Sequence, residues 1–177
     1  MRWPVQRAWT QSGWVSSAIL AGMARTKPPQ LDEGIERKLA AGLYNEVWRL
    51  MELAERTPEQ TDAMIHAAHA SRHHWAQVGA HPNLGRGEWL CSRVYWVLGR
   101  PEPALWHAHR CLELLEAADD AEDWDLPAAY EGLARAYKVA GNDAEASKWA
   151  ARGRESAAAI SDPEDREQIE KDLRALG

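Results

Sequence analysis

Apolar residues recur at three- and four-residue steps over most of the chain, the spacing that gives a helix one apolar face. Between Asp32 and Arg56 they are Ile35, Leu39, Leu43, Val47, Leu50, Met51 and Leu53, which predicts a first amphipathic helix. Thr57, Pro58 and Gln60 then form a start signal: an N-cap, a proline at the first helical position, and a side chain able to reach back. A second helix runs to about Val78, GAHPN at 79–83 breaks it, and Leu84 to Leu98 makes a third that Gly99 ends. Pro101 opens a fourth, running to about Ala118. After the acidic connector 119–125, whose carboxylates suit a helix N-terminus, helices are predicted from about Leu126 to Ala140 and from Asp143 to about Ile160. The segment Ser161–Asp162–Pro163–Glu164 starts a last helix, to Ala175, with a short apolar face of Ile169 and Leu173. Upstream, TKPPQ at 26–30 forbids helix and marks a boundary. Residues 1–30 are therefore expected to be a poorly ordered or loosely packed N-terminal extension, and residues 31–177 one domain.

Within that domain one spacing is used twice. Ser92, Tyr95, Gly99, Ala104, Ala108 and Cys111 return as Ala134, Tyr137, Gly141, Ala146, Ala150 and Gly153, each 42 positions on (134 − 92, 137 − 95). The order small, aromatic, turn glycine, small, packing, small resembles the tetratricopeptide repeat, in which small residues let two antiparallel helices touch and a glycine turns the chain between them. The pattern departs from the family in three ways. Its period is 42 rather than about 34, Glu88 stands at the early aromatic position, and no proline follows the second helix after Cys111. The resemblance covers about Leu84 to Ile160, and residues 31–79 join it only by length and helical period. It implies an all-α fold: antiparallel hairpins at about 31–79, 84–118 and 125–160, stacked as a short right-handed tetratricopeptide-like solenoid with a C-terminal capping helix at 162–176.

In such stacks the first helix of each pair lines a concave face that takes an extended peptide or a partner helix. Carried over position by position, the resemblance implies a lining of Arg86, Trp89, Arg93 and Trp96 from one unit and Glu131, Arg135 and Lys138 from the next. Two indoles beside three guanidinium groups suit an aromatic anchor plus a carboxylate clamp. The plainer alternative is that the Trp pack between hairpins and the Arg are solvated. A third reading makes exposed Trp the interface of a homodimer.

Composition changes the picture in two places. Ten Trp and no Phe in 177 residues mean that bulky core volume must come from Trp, Leu and Tyr, and that indole N–H groups need partners or solvent. A net charge of −6 disfavours a nucleic-acid or anionic-membrane surface, since both need basic stripes. No run approaches the roughly 18 apolar residues of a membrane span. The stretch VSSAILAGMA behind Arg2 and Arg7 is a thin imitation of a signal peptide, broken by Ser16 and Ser17, and Met23 offers an alternative start. A cytoplasmic protein is expected, with Cys91 and Cys111 as buried reduced thiols.

The sharpest chemistry lies outside the groove, in IHAAHASRHHW at 65–75. At about 100° per residue His66, His69 and His73 share one stripe with Asp62. His69 and His73 have the i, i+4 spacing of two metal ligands, and Glu88, carried on an apolar face, is a candidate third. A buried carboxylate there needs His69, His73, Arg72, Arg93 or a divalent ion as partner. With an open position the set could hold zinc or a non-haem iron, with Tyr95 near as proton donor. The competing reading is of ordinary surface or hydrogen-bonded histidines, because Trp75, Met64 and Ala68 place the packing face opposite. His74, His81, His107 and His109 look less organised, and the pair 107 and 109 points two ways on a helix. No nucleophile motif, phosphate loop or paired-cysteine zinc spacing occurs, so no catalytic residue is assigned.

Overall fold

A computed structural model describes residues 30–176 of the protein; the expected N-terminal extension lies outside them, apart from Gln30. Among the described residues there are seven helices and no strand. They are α1 (Glu33–Met51), α2 (Pro58–Val78), α3 (His81–Val97), α4 (Pro101–Glu116), α5 (Asp125–Val139), α6 (Asp143–Ala157) and α7 (Pro163–Arg174).

Local chemistry sets most of the ends. Asp32 caps α1 by accepting from Gly34 N at 2.8 Å. Thr57 and Gln60 satisfy each other's backbone N–H at the start of α2, at 2.9 and 3.3 Å, as the capping box predicts. Asp162 receives the N–H groups of Glu164 and Asp165 at the start of α7. Gly99 (φ +64°) and Gly141 (φ +72°) take the left-handed conformation, and each lets the next residue's N–H turn back to a carbonyl five residues earlier. Arg100 N reaches Tyr95 O at 2.9 Å and Asn142 N reaches Tyr137 O at 3.0 Å. The third helix begins earlier than expected, at His81 rather than Leu84. Pro82 sits in its first turn, where its missing N–H costs nothing, and Asn83 accepts from Ala80 N at 3.1 Å.

Neighbouring helices pack as antiparallel pairs, α1 with α2, α3 with α4 and α5 with α6, an arrangement compatible with a helical repeat fold. The twice-used positions explain the close approach, since Ser92, Ala104, Ala108 and Cys111 and their counterparts Ala134, Ala146, Ala150 and Gly153 are all buried. Across the pairs α2 packs on α3 and α4 on α5, while α1, α3 and α5 touch in succession and α7 lies on α5 and α6. The first helices thus share one face. Apolar burial falls in three clusters, around Val47, Leu50, Met64, Leu90 and Val94, around Leu112, Leu115 and Leu133, and around Ala134, Ile160 and Leu173. Trp89 borders the first two and Trp149 the last two.

Candidate functional site

The shared face of the first helices carries a cavity of about 470 Å³. Tyr44 and Trp48 reach it from α1, Arg86, Trp89 and Arg93 from α3, Trp124 and Asp125 from the start of α5, and Asp165, Ile169 and Asp172 from α7. The Trp48 and Trp89 rings stand 6.0 Å apart, and the Arg93 guanidinium lies 5.0 Å from each. Arg86 lies over Trp124 at 4.3 Å. Cationic heads over indoles hold the aromatic rings in place in the cavity wall.

The guanidinium groups are not free. Arg86 donates from Nε and Nη2 to the two carboxylate oxygens of Asp125, both at 2.8 Å, and Asp125 is fully buried. That hydrogen-bonded pairing holds the Arg86 pKa above its usual value. Arg93 donates to Asp172 at 3.2 Å. The expected carboxylate clamp is therefore filled from within, and what the cavity offers a ligand is chiefly indole surface.

The anticipated lining divides. Arg86, Trp89 and Arg93 reach the cavity; Trp96, Glu131, Arg135 and Lys138 stand off its wall. Arg135 stacks on Trp96 at 4.4 Å and pairs with buried Glu131. Burial, with Arg93 nearby, pushes its pKa down to about 10. Lys138 is exposed and pairs with Asp143 at 3.3 Å. Trp48, Trp124 and Asp172 also line the cavity and lie outside the positions that the repeat resemblance implies. The repeat spacing pointed toward that end of the wall, since the position 42 after Arg86 is Ala128, which lines the cavity; α1, outside the repeat, gave no such guide.

A second cluster lies between α2, α3 and α4. Glu88, buried as its wheel position implied, accepts from Arg72 Nε at 2.9 Å and from His107 Nδ1 at 2.6 Å. Burial raises its pKa, but these two partners outweigh burial and hold it below the usual value. His107 stacks on Tyr95 with ring centroids 5.6 Å apart. His69 meets Tyr95 Oη through Nε2 at 2.9 Å and Cys91 Sγ through Nδ1 at 3.9 Å. Burial, reinforced by His107, lowers the His69 pKa. Burial also pushes the Cys91 thiol up to about 12.

The histidine stripe of α2 therefore splits. His69 lies at its edge nearest Arg72, the edge that turns toward α3 and α4, whereas His66 and His73 are exposed. His73 and His74 meet edge to face, and His74 pairs with Glu36 at 2.5 Å. Of the pair on α4, His107 points inward and His109 outward to Tyr137. On α4 alone the two imidazoles are equivalent, so the sequence does not single out His107. The repeat held the missing signal: 42 positions after His107 is Trp149, packed against the core.

Comparison with protein-family models, curated proteins and solved structures finds no match for the chain. Cys91 and Cys111 are both free and buried. No helix among the described residues is long and apolar enough to cross a membrane. Among these residues Trp106 is the one strongly exposed indole.

Proposed function

We propose that the protein is a short right-handed tetratricopeptide-like solenoid, capped by α7, that acts in the cytoplasm as a protein-interaction module and takes a peptide or helix of a partner in its concave groove. One observation carries the reading: three indoles, Trp48, Trp89 and Trp124, from three successive pairs line a single cavity on the face where first helices meet. Large, rigid, partly buried aromatic walls are the usual anchors of protein recognition. Because Asp125 and Asp172 already neutralise Arg86 and Arg93, the ligand is a segment with an apolar or aromatic anchor rather than an acidic one. The net charge of −6 argues against nucleic acid.

A displayed random-peptide library panned on the folded protein tests this. Enriched peptides should share an aromatic or large apolar residue and shift the indole N–H resonances of Trp48, Trp89 and Trp124 but not of Trp106. Trp48→Ala and Trp89→Ala, each checked for helix content, should weaken binding by about 30-fold, the scale of an interface anchor. Failure to enrich any peptide, or shifts confined to other indoles, sinks the reading.

A further inference from the structure

The two repeated units differ at one set of inward positions. In the second unit Tyr130, Leu133 and Trp149 fill them with apolar packing: the Tyr130 and Trp149 rings stack 5.8 Å apart and Leu133 is fully buried. Forty-two positions earlier stand Glu88, Cys91 and His107. The same hairpin geometry thus closes on two aromatic rings and a leucine, and the first unit has instead buried a carboxylate, a thiol and an imidazole. Burying polar groups is costly unless each finds a partner, so packing alone gives no reason for the exchange.

What the exchange assembles is a donor set. His69, Cys91 and His107 each bring a ligand atom within 4.8 Å of the other two. One nitrogen of each imidazole already has a partner. His107 gives its Nδ1 to Glu88, leaving Nε2, and His69 gives its Nε2 to Tyr95, leaving Nδ1, the atom 3.9 Å from Cys91 Sγ. A ring nitrogen fixed by a carboxylate or hydroxyl, with the other one left over, is the arrangement that orients metal-binding histidines. Metal–sulfur and metal–nitrogen bonds of about 2.3 and 2.0 Å in a tetrahedron separate donors by about 3.5 Å, so closure needs only small side-chain movements.

From these positions we propose that His69, Cys91 and His107 form a binding site for a thiophilic divalent ion of the Zn²⁺ class, with Glu88 and Tyr95 as positioning residues and the fourth coordination place left to solvent. A divalent ion displaces the thiol proton to solvent. With the thiolate, the Glu88 carboxylate and the Arg72 cation counted together, the loaded site carries one net positive charge, which a hydroxide or other anion in the fourth place would neutralise. Arg72 pairs with Glu88 from the partly exposed side. The mixed sulfur and nitrogen donors select zinc or cobalt over magnesium or calcium, which require oxygen. His66 and His73 take no part, so this site differs from the stripe that the α2 sequence suggests. It is also independent of the groove, and either can fail without the other.

Cobalt tests it directly, because thiolate ligation gives a near-ultraviolet charge-transfer band and tetrahedral Co²⁺ gives strong visible bands. The full chain, reduced and stripped with chelator, should take up stoichiometric Co²⁺ with both signatures, and Zn²⁺ should displace it and raise the Tm. Cys91→Ser should abolish the charge-transfer band, while Cys111→Ser, His66→Ala and His73→Ala keep it. Glu88→Gln should weaken Co²⁺ binding by about 10–100-fold, the usual cost of losing a group that orients a ligand. The proposal is overturned if the wild-type chain shows no thiolate band, a readout that depends on no variant's folding. It is equally overturned if uptake survives Cys91→Ser but is lost in His66→Ala or His73→Ala, which would place the metal on the surface of α2.

Discussion

Arg86 and Asp125 show how much one side chain can decide. Asp125 is fully buried at the first turn of α5, and besides its two bonds from Arg86 it accepts Glu122 N at 2.9 Å. Both carboxylate oxygens are therefore used, and the pairing ties α3 to α5 at the edge of the cavity. Asp125→Asn keeps the size but removes the charge and one acceptor, leaving Arg86 facing a neutral amide. Breaking a buried pair typically costs 3–5 kcal/mol; with Arg86 partly exposed, the expected loss is about 2–3 kcal/mol in urea unfolding. Replacing both with apolar residues, Arg86→Met with Asp125→Leu, should recover part of that loss, whereas a double variant no better than Asp125→Asn would show that the site needs its charges. At this scale the sequence was partly legible. Glu88 could be read as a buried carboxylate from its own wheel, and Arg72 was among its expected partners. His107 could not be read from α4 alone, because which of two opposed imidazoles turns inward depends on the helix that packs beside it.

Helices were legible nearly to the residue wherever a side chain or a glycine writes the end. Thr57, Asp162, Gly99 and Gly141 all act where local chemistry puts them. The start of α3 was not, since Pro82 reads equally as a breaker or as a first-turn residue, and only the Ala80 to Asn83 bond decides. Close contacts between elements are less visible still. A Cβ added to Gly132 on α5 would lie 3.1 Å from Trp89 Cδ1, and one on Gly85 of α3 would lie 2.6 Å from Leu115. Both glycines are there for a neighbour rather than for a turn. Ala is a better helix former than Gly by up to about 1 kcal/mol, so a lone helix would gain from either change. Gly85→Ala should instead destabilise the protein by about 1–3 kcal/mol through overpacking. Gly132→Ala should cost less and move the Trp89 indole resonance, because that ring can shift toward the open cavity. Equal or greater stability for Gly85→Ala in thermal unfolding would mean that Leu115 relaxes freely.

For the whole molecule, pairing and order could be read from the repeat and a terminal helix from its capping signal, while the part of α7 in the cavity wall could not. Its sequence shows only a short apolar face, yet Asp165, Ile169 and Asp172 complete the cavity wall and Asp172 reaches Arg93. Long-range placement of this kind depends on how successive pairs are set against one another, and no local pattern encodes that. The same layout governs how damage spreads. Three apolar clusters follow one another along the chain, joined through Trp89 and Trp149 rather than merged. In a stack of helical pairs stability is close to a sum of local and nearest-interface contributions, to which the Arg93–Asp172 pairing adds a link from α7 to α3. Leu173 is fully buried, and it lies against Gly153 of α6, where an added Cβ would stand 3.0 Å from its Cδ2. Leu173→Ala should cost about 2–4 kcal/mol locally, and native-state hydrogen exchange should show where. Amides of α6 and α7 should lose most protection, those of α5 less, and those of α1 and α2 should keep theirs, since Leu173 packs within the third cluster. A uniform loss from α1 to α7 would mean that the two bridging indoles weld the clusters into one cooperative unit. In that case the groove they border could not be reshaped from one end alone.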